Sequence, residues 1–314
     1  MADRLIMPSH SIGGTSPPQE GYQEVYPENG RWYGTFKKGK YMFPIDETEL
    51  ERLDLFHKVF LVSRKDQLFG SPLENMESMK SLDLGCGTGI WSIHMSEKYP
   101  NGDHWGVDLN WIQPEFIPAN VHFMQKDIED RWQDLDPGTW DLIHMRTLNG
   151  SISNWTRVYS EAFRHLKPNG WLEQVEIDWN FRCDDGTLPE DSHARRWAEE
   201  LLDAMDSFGR PLRMDSNLVK QRLRDAGFVD IKEDVIQLPV NGWSSDPFLR
   251  DVGRWFNLAL RQTYQPLALA PLFRNQSRTP AEVQDLALKV KHELWSNQVH
   301  AYCTMHIFTA RKPR

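Results

Sequence analysis

The sequence predicts an α/β fold in which seven strands form a mostly parallel, Rossmann-like sheet that carries a helical insertion. Between residues 80 and 177, short apolar runs alternate with helical patterns, and a glycine-rich turn follows the first apolar run. Strands that alternate with helices form βαβ units, and such units build a parallel sheet. The 314 residues are enough for one large domain of this kind.

Five apolar runs flanked by turn residues predict the first strands, at 81–84, 104–109, 121–125, 140–145 and 170–177. Helices are predicted at 89–98 and 154–166, and the Lys-Pro-Asn-Gly sequence at 167–170 is expected to end the second one. Beyond residue 178 the patterns predict helices at 192–208, 216–226, 246–263 and 280–297, with strands at 231–238 and 302–310. We assign residues 240–298 to a helical insertion within the same domain.

The residues before the sheet divide into two parts. Residues 1–29 are rich in Ser, Pro, Gly and Gln without any period, so we predict a flexible tail there. Residues 30–79 are predicted to form an N-terminal cap segment and a helix, because leucine and phenylalanine recur at helical spacing after Pro44. Residues 30–314 are therefore expected to fold as one domain.

Composition excludes several classes of protein. The net charge of −9 argues against a large nucleic-acid-binding face, so no direct nucleic-acid contact is predicted. Three distant cysteines form neither a disulfide framework nor a zinc cluster, and the 11 histidines show no metal-ligand spacing. We therefore expect no metal site. No apolar run reaches membrane-spanning length and no signal peptide is evident, so we expect a soluble, intracellular protein.

The glycine-rich turn, Asp83 to Gly89, follows the first strand and opens a helix. Glycines allow tight turns and the close approach of a ligand to the backbone. They stand at 85, 87 and 89, a spacing that differs from the dinucleotide fingerprint. Asp83 precedes them, and a carboxylate there repels a pyrophosphate but suits the ammonium of a methionine moiety. Cys86 lies within the turn, where its small size matters more than its thiol.

Acidic residues at the next two strand ends complete the pattern. Asp108 follows Gly89 by 19 residues, the offset at which a carboxylate accepts hydrogen bonds from both ribose hydroxyls. Asp127 ends the third strand and is expected to face an adenine amino group, with Ile128 covering the ring. The pattern predicts S-adenosylmethionine as cofactor and a class I methyltransferase fold. The candidate cofactor-binding residues are Asp83, Gly85, Cys86, Gly87, Gly89, Asp108, Leu109, Asp127, Ile128, Met145 and Arg146.

The ends of the fourth and fifth strands are the natural places for substrate contacts. Met145 and Arg146 follow the fourth strand beside the methionine end of the cofactor, although Arg146 is equally compatible with a structural ion pair. His144 is interpreted as a packed histidine. After the fifth strand lie the acidic residues Glu173, Glu176 and Asp178, with Gln174 among them. Glu176 is a candidate proton acceptor or substrate contact; the alternative is solvated charge or an ion pair with Arg182.

The cap segment supplies two further substrate candidates, Tyr33 and Tyr41. With Phe36 and Phe43, they are expected either to cover the cofactor as an aromatic lid or to pack a helix on the sheet. The lysines at 37, 38 and 40 are interpreted as a solvent-exposed loop. No residue is assigned as a catalytic base.

Several of these motifs together resemble the fungal LaeA-like methyltransferases. The resemblance is carried by LDLGCGTGIW (82–91), GVDL followed by IQP (106–114), WDLIHMR (140–146), HLKPNGWLEQVEID (165–178), a terminal HAY…HI…ARKP and the cap segment NGRWYGTFKKGKYMFPIDETELERLDLFHKVF. It extends from about residue 29 to the C-terminus. Its most specific pieces are the cap segment, which ordinary methyltransferases lack, and the EQVEID strand (173–178).

This resemblance implies a methyltransferase that acts as a nuclear regulator of secondary metabolism and development with velvet-family partner proteins. The nucleus is the expected compartment, with the cytoplasm as a second one, and no membrane association is expected. Relatives that act as small-molecule methyltransferases of fungal biosynthetic clusters give the alternative function. The chain departs from many regulators in its short N-terminal tail, which leaves the choice between regulator and paralogue open. The resemblance leaves the methyl acceptor unspecified.

Overall fold

The computed structural model describes residues 24–74 and 76–314, so most of the predicted tail lies outside the described residues. The sheet has seven strands in the order β5-β4-β3-β6-β7-β9-β8, as predicted for an α/β fold. Strands β3 to β7 run parallel, whereas β9 is antiparallel to both of its neighbours. The strands are β3 (Lys80–Leu84), β4 (Asp103–Asp108), β5 (Val121–Gln125), β6 (Trp140–Arg146), β7 (Leu166–Arg182), β8 (Val229–Pro239) and β9 (Tyr302–Arg311).

Eight helices lie in the described part of the chain. They are α1 (Glu47–Ser63), α2 (Ile90–Lys98), α3 (Trp155–His165), α4 (His193–Ser207), α5 (Ser216–Asp225), α6 (Pro247–Arg261), α7 (Tyr264–Arg274) and α8 (Pro280–Glu293). Helix α7 was not predicted, since nearly all of its residues are buried and it therefore lacks the one-sided apolar stripe of an amphipathic helix. Helices α6 to α8 form the insertion between β8 and β9.

The order of the strands places the site. From β3 the chain first moves outward through β4 and β5 and then returns to the other side of β3 with β6. The carboxyl ends of β3 and β6 therefore flank a topological switch point, where ligands of open α/β sheets bind. The largest apolar core joins α1, α4 and the insertion helices to β7 and β9, while a second core packs α3 and α5 on the opposite face.

An N-terminal hairpin, β1 (Val25–Glu28) and β2 (Arg31–Gly34), corrects the predicted boundary of the tail at residue 29. Its strand β1 is held by contacts distant in sequence, because Arg274 of α7 donates to Glu28 at 3.0 Å and to the Tyr26 hydroxyl at 2.9 Å. Arg31 forms a buried, two-pronged ion pair with Asp46, both bonds 2.7 Å long. Such contacts leave no periodic signal in the local sequence.

Strand β7 is longer than predicted at both ends. The sequence at 167–170 does not form a turn between α3 and the strand, because pairing begins at Leu166 opposite Trp140. At the other end the strand continues to Arg182, which pairs with Tyr302 of β9. The extension carries Asp178 and Trp179 beyond the predicted strand end at residue 177. In the described residues, no helix is long and apolar enough to cross a membrane.

Candidate active site

The turn between β3 and α2 requires glycine for two different reasons. Gly85 and Gly89 have φ values of +67° and +77°, and a Cβ on either would overlap a neighbouring side chain, Leu148 or Phe123 respectively. Gly87 also has a positive φ, +56°, but an added Cβ would meet only Leu53 at 3.5 Å. The space in front of Gly87 is therefore left open for a ligand.

The Asp108 carboxylate is held by two backbone donors. Its Oδ2 accepts from Gly87 N and its Oδ1 from Asn110 N, both at 2.8 Å. Burial raises the pKa of Asp108 to about 6, against the lowering effect of these hydrogen bonds. Each oxygen has a second lone pair and can accept from a ligand hydroxyl.

The Asp127 carboxylate lies in the same cleft and is already paired. Lys40 of the cap segment forms an ion pair with Asp127 and a longer one, 3.4 Å, with Glu129. The prediction that Lys40 lies in a solvent-exposed loop is thus wrong. The pairing has no local signal in the sequence, because these carboxylates lie on a distant part of the chain. Ile128 is buried and also borders the cleft. The cap segment is therefore tied by charge to the end of the cleft predicted to receive the adenine.

Arg146 and Met145 point in different directions. Met145 is fully buried in the core with α3 and does not border the cleft, so the predicted contact is wrong. Side chains alternate along a strand, and these two neighbours cannot both face the cleft. Arg146 borders it, lies over the Phe60 ring at 4.5 Å, and donates to His57 Nδ1 at 3.2 Å. Arg146 forms no ion pair with any described residue.

The Arg146 guanidinium is oriented by neutral histidines. Because a guanidinium only donates, His57 Nδ1 must accept, and His57 Nε2 then donates to His94 Nδ1 at 2.8 Å. Burial and the nearby Arg146 lower the pKa of His57 to about 2, so the ring stays uncharged. Burial lowers the pKa of Arg146 itself to about 10, which leaves it cationic at neutral pH.

The Asp83 carboxylate is hydrogen-bonded to a packed histidine. Its Oδ1 is 2.8 Å from His144 Nδ1, and the His144 ring stacks on Trp91 with 4.1 Å between centroids. The prediction that His144 is a packed residue is confirmed by this geometry. Asp83 and Cys86 border the inner part of the cleft together with Arg146.

These residues line one continuous space, which we call the glycine-turn cleft. Its outer part encloses about 740 Å³, some of it open to solvent. The residues bordering its two parts include Lys40, Tyr41, Leu53, Asp83, Gly85, Cys86, Gly87, Asp108, Leu109, Asp127, Ile128, Glu129, Arg146, Thr147 and Leu148. Of the predicted cofactor-binding residues, the structure brings nine to this cleft. Met145 is buried in the core, and Gly89 caps helix α2.

A second space, which we call the aromatic cavity, adjoins the cleft. Its space amounts to about 550 Å³, part of which is open to solvent. Its walls are Tyr41, Phe43, Arg52, Leu53, Phe56, Thr147, Asn149, Ser151, Glu176, Trp179, Leu212 and Leu267. The Arg52 charge is neutralised by Glu49, which accepts two hydrogen bonds from it at 2.9 and 2.6 Å. Trp179 comes from the unpredicted extension of β7.

Glu176 is the acidic residue of β7 that reaches this cavity. It accepts from Leu148 N at 3.1 Å, Asn149 N at 3.2 Å and the Gln174 amide at 3.2 Å. It is 1% exposed, and burial raises its pKa to about 7. Among the described residues it has no ion-pair partner. The alternative prediction for Glu176, a solvated charge or an ion pair with Arg182, is therefore wrong.

The neighbouring acidic residues are already neutralised. Glu173 pairs with Arg64 at 2.8 Å and accepts from Gly70 N at 2.6 Å. Asp178 pairs with Arg182 at 2.8 Å, the interaction that the sequence allowed for this group of residues. Glu173 and Asp178 therefore have structural partners, whereas Glu176 does not.

Thr147 lies where the cleft and the cavity meet. It borders both spaces, as do Leu53 and Tyr41. Its φ of +52° is unusual for a β-branched residue and costs energy, which the surrounding structure must offset. Its backbone N donates to Val175 O at 2.8 Å and its hydroxyl to Arg146 O at 2.8 Å. Strain of this kind clusters at functional sites.

Tyr33 does not belong to the site. It is 1% exposed in the hairpin, stacked on Tyr26 and covered by Arg274 at 5.1 Å from its ring centre. The predicted substrate contact is therefore wrong for Tyr33, while Tyr41 borders both spaces. Lys40, Leu53 and Thr147 were missed, although Lys40 and Thr147 directly adjoin predicted residues in the sequence. In residues 24–74 and 76–314, no group of His, Cys, Asp and Glu could hold a metal ion.

Comparison with known proteins yields both a domain family and close relatives. Residues 56–233 match the methyltransferase domain family. The chain is 44% identical to the secondary metabolism regulator LAE1 of Cochliobolus heterostrophus, over 95% of this chain and 98% of that protein. It is 44% identical to the protein-methionine methyltransferase laeA of Chaetomium globosum, over 93% of this chain and 71% of that protein. It is 41% identical to the secondary metabolism regulator laeA of Aspergillus fumigatus, over 97% of this chain and 81% of that protein.

A solved structure shares the fold. Phosphoethanolamine N-methyltransferase 2 of Haemonchus contortus, solved in complex with S-adenosyl-L-methionine, superposes with a TM-score of 0.50. The sequences are only 15% identical, and the match covers 82% of this chain and 53% of that one. At that identity the likeness concerns the fold alone.

Proposed function

This chain belongs to the LaeA/LAE1 family of secondary metabolism regulators within the methyltransferase-domain proteins, and on that premise we propose that it methylates a methionine thioether of a protein acceptor. Its cofactor is S-adenosylmethionine, which when bound supplies an electrophilic methyl group on a sulfonium. The observation that carries the proposal is the junction at Thr147, where the glycine-turn cleft adjoins a cavity whose walls are mostly aromatic and aliphatic side chains.

The residues of the cleft fit this cofactor. Asp108 accepts from the ribose hydroxyls, and the open space at Gly87 admits a ligand against the backbone. Arg146 is a partly buried cation that forms no ion pair with a described residue and suits the methionine carboxylate, while Asp83 suits the ammonium. Asp127 can receive the adenine amino group once Lys40 turns to Glu129, which it already contacts.

The aromatic cavity suits a neutral, apolar nucleophile. A thioether needs no general base, because its sulfur carries a free lone pair at any pH. The chain's task is then to hold the acceptor in line with the methyl group and to exclude water. The name of the Chaetomium globosum relative, a protein-methionine methyltransferase, supports this acceptor class.

We extend the proposal to the cellular role that the family resemblance implied. The chain regulates secondary metabolism from the nucleus together with velvet-family partners. The names of the relatives support the regulatory part of this role. Co-purification of the full chain with velvet-family proteins from nuclear extract tests the partners, and recovery of none of them would remove this part of the proposal.

Calorimetric titration of the purified chain tests the biochemical core of the proposal. We expect binding of both S-adenosylmethionine and S-adenosylhomocysteine with one site per chain. Incubation with cofactor labelled in its methyl group and methionine-containing peptides should then place label on the peptide. Peptides with norleucine in place of methionine are the matched control, and equal labelling of both would exclude the thioether as acceptor.

A further inference from the structure

The aromatic cavity combines ring faces with one buried charge. Phe43, Phe56 and Trp179 are each less than 10% exposed and contribute aromatic walls. The two ionic groups on its surface differ, since Arg52 is neutralised by Glu49 and Glu176 has no described cation beside it. Aromatic faces attract cations through their quadrupole, and the attraction grows where water is excluded.

The buried charge of Glu176 is costly as the cavity stands. Its hydrogen bonds come from neutral donors, two backbone amides and the Gln174 side chain, and these only partly replace water. A buried carboxylate of this kind is stabilised when a cation enters beside it. Burial favours the neutral form of Glu176. A positively charged ligand in the cavity favours the ionised form and so offsets that effect.

We propose that Glu176 and the aromatic walls form a cation site that receives the acceptor after methylation, as a sulfonium. This inference rests on the proposed function and adds the residue that recognises the charge of the product. In the transfer, the acceptor sulfur forms a new S–CH₃ bond with its lone pair while the S–CH₃ bond of the cofactor breaks. The positive charge passes to the acceptor, S-adenosylhomocysteine leaves neutral, and no proton is released.

A purely structural role for Glu176 makes a different prediction. Its hydrogen bonds to Leu148 N and Asn149 N hold the loop after β6, and Leu148 packs against Gly85 in the cleft. Disturbing that loop would weaken neutral and cationic ligands alike. A cation site instead distinguishes ligands of one shape by their charge, and this distinction is the quantity to measure.

Two probes of matched shape make the distinction. N-acetyl-S-methylmethionine amide carries a dimethylsulfonium, and N-acetylhomoleucine amide replaces that group with a neutral isopropyl group. Calorimetric titration of the full chain, with and without saturating S-adenosylhomocysteine, gives the affinity ratio. We expect the sulfonium to bind at least about tenfold more tightly to the unmodified chain. Equal affinity of the two probes in both conditions would overturn the inference, and this comparison needs no variant.

Variants then assign the preference to one carboxylate. Glu176→Gln keeps the shape of the side chain and should reduce the ratio to within about threefold of unity. The control is Asp178→Asn. Asp178 is a buried carboxylate on the same strand, but it is paired with Arg182, so this variant should retain the full ratio. A ratio that survives in Glu176→Gln, in a variant that still unfolds cooperatively, would contradict the assignment.

The same titrations separate the two proposals. If S-adenosylhomocysteine fails to bind, the proposed function fails, and the probe ratio in the cofactor-free chain still decides the cation site. If S-adenosylhomocysteine binds and the probe ratio is near one, the cation site fails and the proposed methyl transfer stands.

Discussion

The glycine-turn cleft and the aromatic cavity each border a charged side chain that forms no ion pair with a described residue, and the two charges have opposite signs. In the cleft it is Arg146, whose pKa burial lowers to about 10. In the cavity it is Glu176, whose pKa burial raises to about 7. Both shifts have the same cause, yet they point to ligands of opposite charge: an anionic group beside Arg146 and a cationic one beside Glu176.

Other buried charges in the same strands emphasise this difference. Glu173 and Asp178 flank Glu176 on β7 and are paired with Arg64 and Arg182. Their charges are satisfied within the chain and leave nothing for a ligand. An unpaired buried charge at the border of a cavity is therefore a better indicator of ligand charge than a count of acidic residues.

The largest expected effect on cofactor affinity comes from a variant that fills the glycine-turn cleft and leaves the aromatic cavity unchanged. Gly87→Arg should reduce S-adenosylmethionine affinity by more than about a hundredfold, since a large side chain occupies the space at the turn and the positive φ disfavours it. Calorimetry checks this. Gly138→Arg is the matched control, because Gly138 has a φ of +66° and nothing within 4 Å of its added Cβ. Retained affinity in Gly87→Arg would remove the turn from the cofactor site.

The charge assigned to the cleft is tested by Arg146→Met. Loss of a charge-assisted contact to the methionine carboxylate should weaken S-adenosylmethionine by about 10- to 100-fold. Decarboxylated S-adenosylmethionine should bind the original chain and Arg146→Met with similar affinity. If both ligands weaken equally in the variant, Arg146 supports the cleft without contacting the carboxylate.

A smaller effect on the cleft is expected for Asp108→Ala. Loss of the ribose hydrogen bonds should cost about 1–2 kcal/mol of binding free energy, roughly 5- to 30-fold in affinity. The reference variant is Asp103→Ala, at the opposite end of the same strand, where the carboxylate pairs with Lys80 at 3.2 Å. Equal titration curves for the two variants would mean that Asp108 does not contact the cofactor.

The cavity is tested last, through the stability of the ligand-free chain, where an effect of similar size is expected and depends on pH. Burial raises the pKa of Glu176 from 4.5 to about 7, so the folded state binds this proton more tightly than the unfolded state. Its contribution to stability is present at low pH and is lost as the pH rises through 7. Glu176→Gln should therefore raise the free energy of unfolding by about 1–2 kcal/mol at pH 8 and by less at pH 5.

Urea unfolding at both pH values measures this difference. Asp178→Asn should show the opposite sign at pH 8, because it breaks the ion pair with Arg182. A Glu176→Gln variant that is less stable at pH 8 would show that the ionised carboxylate stabilises the ligand-free chain, contrary to the comparison of the two charges.

The cleft was more predictable from the sequence than the cavity. The glycine turn and Asp108 are fixed by spacing along consecutive βαβ units, so a local pattern specifies them. Met145 was misassigned because the alternation of side chains on β6 allows only one of two neighbours to face the cleft. The seven strands were recovered because alternation and turn residues are local signals.

The cavity depends on contacts between distant segments. Trp179 reaches the cavity only because β7 continues past its predicted end. The cleft has a contact of this kind in the ion pair between Lys40 and Asp127, which are 87 positions apart. Helix α7 carries no amphipathic signal because it is surrounded by other helices. Tyr33 belongs to the same aromatic-rich segment as Tyr41, and only its packing on Tyr26 and Arg274 separates their roles.

The clamp between the N-terminal hairpin and α7 has a consequence for biosynthesis. Arg274 and Glu28 are separated by 246 positions, so β1 cannot reach its anchor until nearly the whole chain has left the ribosome. Strands β3 to β7 and the glycine turn come from segments that leave the ribosome before α7, whereas β9, which lies between β7 and β8, follows α7 in the chain. The hairpin and the antiparallel edge of the sheet therefore both wait for the last part of the chain before they can dock.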